Sequence, residues 1–404
     1  MENNLSTREL FQNIINFKSS PRTLKWEYGY WGGTINRWHS EGLVRKEGMA
    51  REFDYGDSVC GPAARWGAPS YGTGAENAPR SIDINDIFEL DEQLLLVPYD
   101  CWIFPKYEEK IVYEDSRYKE LYNSVGIRQK TLKDKSSMPL WLEYPVKSRK
   151  DWEEMKEEKL SLDSITKRWS KNKAEFIKKA KDRTFPLHLM SGPTGFFGSL
   201  RYLLGEDRLY ITYYDDPYLL KDIADHLCNL WIAEAEELTS VLDFDIAGFW
   251  EDMAGKNGSL ISPSLFKEFM TPYYKRLTGF IKSKKINNFI LDSDGNVNEL
   301  IPLFLEAGVN GLMPFEQQAG NDLAEIRKKY PELIIWGGID KNELSKDKEH
   351  IDKELDKVSW LIKQGGYIPF NDHLVPPNVS WENFKYYREK LNKIVDSIQI
   401  VKNE

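Results

Sequence analysis

A (β/α)8 barrel, one α/β domain running over residues 1–404, is the fold this sequence predicts, and three observations predict it. Eight apolar segments, marked by Leu24, Leu94, Leu187, Ile246, Phe289, Leu312, Ile334 and Tyr367, alternate with helical patterns. From Phe185 onward that alternation is strict, and nearly every segment stops at a polar side chain. No GxGxxG or GxxxxGK[ST] phosphate loop follows any of the strands, which argues against an open doubly wound sheet.

In chain order, Leu5 to Asn16 reads as a short amphipathic helix, an N-terminal extension with Leu10, Ile14 and Phe17 on one side. Thr23 to Trp31 is an aromatic-rich first strand. Alternation places Leu24, Trp26, Tyr28 and Tyr30 on one side, and Glu27 and Trp31 on the other. Gly42 to Pro79 loses all period and predicts a long loop. Gln93 to Asp100 is a second strand, and Lys110 to Pro145 an inserted β meander, so the elaboration of the barrel covers about 42–146. Two charged helical segments follow, from Lys147 to about Lys181. Next come a strand at Phe185–Ser191 with a helix at 196–204, then a long helix from Pro217 to Val241. Asp245 to Glu251 is a strand, followed by a helix opening at Ser262 and Pro263, a favourable N-cap and N1 pair. Four further strand–helix pairs begin at Phe289, Gly311, Leu333 and Gly366.

Composition narrows the function classes. A formal net charge of -9 and a pI near 5.4 exclude the basic footprint of a nucleic-acid binder. The basic run Lys167–Lys181 alternates with apolar residues at helical spacing and reads as a solvated face. Cys60, Cys101 and Cys228 form no CxxC or CxC pair, so neither a disulfide framework nor a thiolate zinc finger is expected. No apolar stretch reaches the roughly 20 residues that span a bilayer, and Met1 to Asn16 lacks a signal-peptide core; a cytoplasmic protein is expected.

In a barrel of this kind the active site lies at the C-terminal strand ends. Those ends here carry Glu27 and Trp31; Asp100; Ser191 with Gly192; Glu251 with Asp252; Asp292 with Asp294; Glu316; Asp340; and Asp372 with His373. A helix cap accounts for Asp340. Glu251, Glu316 and His373 are not turn formers, and they are flanked by aromatics and prolines. Asp292 and Asp294, two apart on an extended segment, point the same way and repel unless a proton, a cation or a ligand lies between them. Such a set suits either a divalent metal held by Asp292, Asp294 and His373, or proton-shuttling carboxylates. His188 reads as a core residue, and His39, His226 and His350 as surface or packing residues on helices. The stripe Trp26, Tyr28, Trp31 serves equally as core or as a wall for a flat or methylated ligand.

A family resemblance adds to this. Ser191-Gly-Pro-Thr-Gly, Trp250-Glu-Asp-Met, Ile261-Ser-Pro-Ser-Leu-Phe-Lys-Glu-Phe, Asp292-Ser-Asp-Gly-Asn, Gly337-Gly-Ile-Asp and Gly366-Tyr-Ile-Pro-Phe-Asn-Asp-His resemble the uroporphyrinogen decarboxylase superfamily, nearer its corrinoid-dependent methyltransferase branch. The resemblance covers roughly Arg22 to the C-terminus and implies the same barrel. Two departures matter. The decarboxylases carry an arginine-rich turn after the first strand, where this chain reads Glu27-Tyr-Gly-Tyr-Trp-Gly-Gly. The methyltransferases hold zinc with His-x-Cys and a later Cys, where this chain has Asp292-x-Asp294 and Asp372-His373, so any metal site is harder than a thiolate zinc site.

The resemblance implies methyl transfer from a small methylated compound, a methyl ether or methylamine, to a corrinoid supplied by a partner protein, since no Asp-x-His-x-x-Gly cobalamin signature occurs here. Asp292, Asp294, Glu251 and His373 would carry the chemistry, and Trp26, Glu27, Tyr28, Trp31, Glu316 and Asp372 would line the substrate pocket. A decarboxylase or lyase of a small acid or porphyrin-like substrate, with Asp292 as proton donor, is the alternative on the same fold. A non-catalytic corrinoid or small-molecule binding protein is the alternative from another class.

Overall fold

The computed structural model describes residues 5–47, 49–63, 81–190 and 194–401. Much of the expected long loop, and the Ser191–Pro193 part of the glycine-proline motif, lie outside the described residues.

Helix α1 (Thr7–Ile15) opens on a capping box, Ser6 with Glu9, and buries Leu10, Phe11, Ile14 and Ile15. It crosses the N-terminal side of the barrel: Arg8 and Gln12 bond Asp245, and Asn16 bonds Asn288, residues that precede two of the strands. Strand β1 (Gly29–Trp31) runs into α2 (Gly32–Ser40), and β2 (Ser58–Cys60), α3 (Ile82–Ile87) and β3 (Leu95–Leu96) follow. The expected meander is a four-stranded antiparallel sheet of β4 (Lys110–Glu114), β5 (Tyr118–Tyr122), β6 (Arg128–Leu132) and β7 (Leu140–Glu143) in that order. Helices α4 (Arg149–Glu158) and α5 (Lys173–Lys181) are the charged pair.

From there strand and helix alternate: β8 (Leu187–Leu189), α6 (Phe196–Leu204), α7 (Glu206–Asp215), α8 (Pro217–Thr239), β9 (Ile246–Trp250), a hairpin of β10 (Ala254–Gly255) and β11 (Gly258–Ser259), α9 (Pro263–Phe269) and α10 (Thr271–Ser283). The remainder is β12 (Phe289–Asp292), α11 (Ile301–Glu306), β13 (Gly311–Met313), α12 (Leu323–Lys329), β14 (Ile334–Trp336), α13 (Lys348–Lys363), β15 (Tyr367–Ile368) and α14 (Trp381–Ser397). Helix α7 and the β10–β11 hairpin have no counterpart in the sequence reading. A single residue, Gly205 at φ 80°, separates α6 from α7, too short a gap to show in the hydrophobic period.

Seven strands, in the order β15-β14-β13-β12-β9-β8-β3, form one parallel sheet. The eighth place belongs to residues 23–31, and here the structure departs from a regular strand. Leu24 lies outside β1, which pairs antiparallel with β2. On that side Ala63 N–H donates to Glu27 O and Leu94 N–H to Pro62 O; on the other, Thr23 Oγ1 donates to Tyr367 O and Val375 N–H to Gly29 O. The ring therefore closes through single bonds and one parallel bridge, Tyr30 to Val375. Gly29 explains the irregularity: its φ of +152° lies where a side chain is strained, and a Cβ there would meet Val59 O at 2.6 Å. Among the described residues no helix is long and apolar enough to cross a membrane.

Candidate active site

In register, Asp292 lies opposite Trp250 of β9 and Met313 of β13, so three neighbouring strands end level on one face. The chain beyond β12 turns at once. Gly295 has φ +78°, and its N–H donates to Glu316 Oε2 at 3.1 Å, while Asn296 N–H donates to Gly255 O at 2.9 Å. A Cβ on Gly295 would lie 2.3 Å from Ala254 O, so only glycine lets this turn press against the hairpin. That turn presents Asp294 to the mouth, where its Oδ2 lies 3.7 Å from Nε2 of His373.

His373 stands against an aromatic wall. Its ring centroid is 5.5 Å from that of Tyr28 and 6.4 Å from that of Trp31, and Phe370 stacks on Tyr28 at 6.3 Å. Both site groups are shifted towards their uncharged forms. Desolvation within the mouth first, although the side chain is still 37% exposed, then the charges of Asp252, Glu316 and Asp372, push the Asp294 carboxyl above its usual range against Lys341. Burial, reinforced by Lys341, holds the His373 imidazole below its usual value against the pull of Glu316, Asp372 and Asp252. The two residues thus favour a carboxylic acid beside a neutral ring.

Beside them lies a charged brace. Lys341 Nζ is 3.0 Å from Glu316 Oε1 and 3.4 Å from Asp372 Oδ1. Asp372, fully buried, also accepts N–H bonds from Gln317 at 2.8 Å and Lys341 at 3.1 Å. Burial raises the Glu316 carboxyl, but Lys341 and the Gly295 N–H outweigh it and hold its pKa below the usual value. Across the mouth Asp252, at φ 45°, pairs with Arg201 at 2.7 Å, and that guanidinium lies 5.3 Å from the Trp250 ring centroid.

The uroporphyrinogen decarboxylase (URO-D) family model matches residues 136–394, more than half of the chain. The chain belongs to the uroporphyrinogen decarboxylase family. A curated uroporphyrinogen decarboxylase from a Hydrogenobaculum strain is 25% identical over 139 residues, which is 33% of this chain and 38% of that protein. The chain thus aligns with well under half the length of that relative. Among solved structures, a B12-independent methionine synthase from a Shewanella species, in complex with selenomethionine, has 12% identity and a TM-score of 0.41, covering 79% of this chain and 87% of that one. A putative vitamin-B12-independent methionine synthase from Listeria monocytogenes has 13% identity and a TM-score of 0.28, covering 53% of this chain and 63% of that one.

Within this URO-D family chain, the residues singled out from the sequence divide into two groups. Asp294, Glu316, Asp372, His373, Tyr28 and Trp31 come together at the mouth. Trp26 and Glu27 do not. Trp26 is fully buried, packs on Phe11 and Trp336, and donates from Nε1 to Glu92 O. Glu27 faces the helices, where its Oε1 accepts from Tyr387 Oη at 2.6 Å and from Arg388 Nη1 at 2.8 Å. Gly29 reverses the facing of the chain, so Glu27 turns to α14 while Trp31 turns to His373.

Glu251 is likewise engaged away from Asp294. Its oxygens accept from the N–H groups of Phe196 and Gly198 at the start of α6, at 2.8 and 2.7 Å, and Tyr274 Oη donates to it as well. Asp292 is buried, with its carbonyl accepting from the N–H groups of Glu251 and Asp252. No three His, Cys, Asp or Glu side chains converge as a metal ion would require among the described residues. Asp292, Asp294 and His373 do not form such a group there, and the ammonium of Lys341 lies between a different pair of carboxylates, Glu316 and Asp372.

Lys341 and Arg201 are the site residues that sequence reasoning passed over. Lys341 directly follows Gly337-Gly-Ile-Asp at a strand end, so its position gave a usable signal. Arg201 sits in the otherwise apolar run Phe196-Phe-Gly-Ser-Leu-Arg-Tyr-Leu-Leu, and a lone charge on a buried helix face was the clue.

Proposed function

We propose that this chain transfers a methyl group from a small methylated compound, a methyl ether or methylamine, to a corrinoid carried by a partner protein. The observation carrying this reading is the Asp294–His373 pair, 3.7 Å apart against the Tyr28 and Trp31 rings, with the acid biased towards its protonated form. The reduced corrinoid supplies the nucleophile that accepts the methyl group when its protein docks. The bond from methyl to oxygen or nitrogen breaks, and the leaving atom keeps the electron pair. Asp294 delivers the proton that an ether oxygen or a neutral amine needs on leaving, a donor already in its ammonium form departs as the neutral amine without one, and His373 orients the carboxyl. Tyr28 and Trp31 offer π faces suited to an aryl ether or to a methylated ammonium.

The charge balance favours the same reading. Lys341 is paired with Glu316 and Asp372, and Arg201 with Asp252, so the cluster suits a neutral or cationic donor better than a polycarboxylate.

The test mixes the protein with a Co(I) corrinoid protein and a panel of methyl ethers and methylamines, and follows methylation of the corrinoid by absorbance. Wild type should transfer, and Asp294→Asn should be slower by about 100- to 10,000-fold, the range for losing a general acid. Carbon dioxide release from small acids without any methyl transfer would replace this reading with a decarboxylase. Corrinoid or donor binding with no turnover would replace it with a binding protein.

A further inference from the structure

The Lys341 side chain is 18% exposed and sits between two carboxylates from two other strand ends, Glu316 after β13 and Asp372 after β15. Each of these carboxylates is also linked to a reacting residue, one through a backbone bond and the other through the chain. Glu316 Oε2 accepts from Gly295 N–H, immediately after Asp294. Asp372 immediately precedes His373, and it accepts from the N–H groups of Gln317 and Lys341. One ammonium therefore ties together the chain after four consecutive strands, β12 to β15, at the two ends that carry the Asp294–His373 pair.

We propose that Lys341 is a positioning residue: a built-in cation that holds Glu316 and Asp372 together and so sets the spacing and protonation of Asp294 and His373. Carboxylates converging from several strands repel one another unless a positive charge lies among them. A divalent ion is one solution to that problem. Here the ammonium, at 3.0 and 3.4 Å from the two carboxylates, occupies the place such an ion would take. An uncharged side chain at 341 leaves Glu316 and Asp372 facing each other, and the Gly295 and His373 backbones lose their common anchor. Arginine keeps the charge and can bridge both acids, so Lys341→Arg is the conservative rescue.

This inference rests on the reading of Asp294 and His373 as the reacting pair, but it can be tested without substrate. The chain has five histidines, His39, His188, His226, His350 and His373, so the His373 imidazole resonance can be assigned from one His373→Gln variant. The groups facing it are Asp252 after β9, Asp294 after β12, Glu316 after β13, Lys341 after β14 and its neighbour Asp372. An NMR titration of full-length protein should show the His373 pKa rising by about one unit in Lys341→Met, a tenfold gain in proton affinity, and staying near wild type in Lys341→Arg. Glu316→Gln should move it the opposite way, a sign reversal that general loosening would not produce. Where Lys341→Met fails to fold, the Glu316→Gln and Lys341→Arg titrations still decide. An unmoved His373 in Lys341→Met or in Glu316→Gln, or an equal shift in Lys341→Arg and Lys341→Met, overturns the assignment. Absence of methyl transfer would overturn the proposed reaction and leave this result standing.

Discussion

Replacing Glu251 by Gln should abolish a specific part of the protein's pH-dependent stability. Glu251 is fully buried, and burial lifts its carboxyl from the usual 4.5 to about 7, against the opposing pull of Tyr274 and the N–H groups of Gly198 and Phe196. The folded state keeps this proton between about pH 4.5 and 7, whereas the unfolded chain releases it. The stabilisation is therefore complete below pH 4.5, is lost as pH rises through 7, and changes no further above that. A shift of about 2.5 units at about 1.4 kcal/mol per unit amounts to about 3 kcal/mol. Asp294 and Asp372 are shifted in the same direction, so the difference between wild type and Glu251→Gln is the quantity to measure. Urea denaturation at pH 5, 6, 7 and 8 should show that difference changing by about 2.5 kcal/mol in favour of the variant as pH rises. Parallel curves for the two proteins would refute the reasoning and place the Glu251 carboxyl in ordinary ionisation.

Two further outcomes follow from the same geometry. Arg388→Met leaves the buried Glu27 carboxylate without its ion pair at 2.8 Å and should cost about 3–5 kcal/mol by urea denaturation, whereas Glu27→Gln/Arg388→Met should recover most of it; equal losses would dissolve the pairing. Gly29→Ala forces a side chain into φ +152° against Val59 O at 2.6 Å and Leu374 Cδ2 at 2.9 Å, so thermal unfolding should reveal a loss of about 1–3 kcal/mol, and an unchanged midpoint would contradict the strain.

The second half of the chain was legible because its strands are continuous apolar runs buried on both faces, and its helices carry caps that read directly from the sequence. Ser262 with Pro263, Asp322 and Ser380 all accept the N–H bonds their residue types predict. The first strand was not legible, because alternation assumes an unbroken pleat. Tyr28 faces His373 while Tyr30 packs on Trp38 and Phe384 among the helices, a reversal centred on Gly29. A period of two carried across that glycine placed Glu27 and Trp31 on one side, whereas Glu27 belongs to α14 and Trp31 to the mouth. Asp292 and Asp294 stand in different surroundings for a related reason. Asp292 ends the strand and is 4% exposed, but Asp294 already belongs to the turn at Gly295, its side chain 37% open.

Those displacements change the argument about substrate charge. Glu27, which the resemblance would place in the substrate pocket, is held by Arg388 behind the barrel wall, so it has no bearing on what enters. Any charge preference of the mouth rests on other residues. Asp252 holds Arg201 and the Glu316–Asp372 pair holds Lys341, so the two cations that touch the described acid cluster are each satisfied within the protein. A polycarboxylate would have to break one of these pairs and leave its acid unpaired, at a cost of several kcal/mol for a buried group such as Asp372. A neutral ether breaks neither, and an ammonium gains from the aromatic faces of Tyr28 and Trp31. On the proposed function the site would favour a neutral or cationic donor because its acids are already paired, and Lys341, which holds two of them, is the residue whose replacement should alter that preference first.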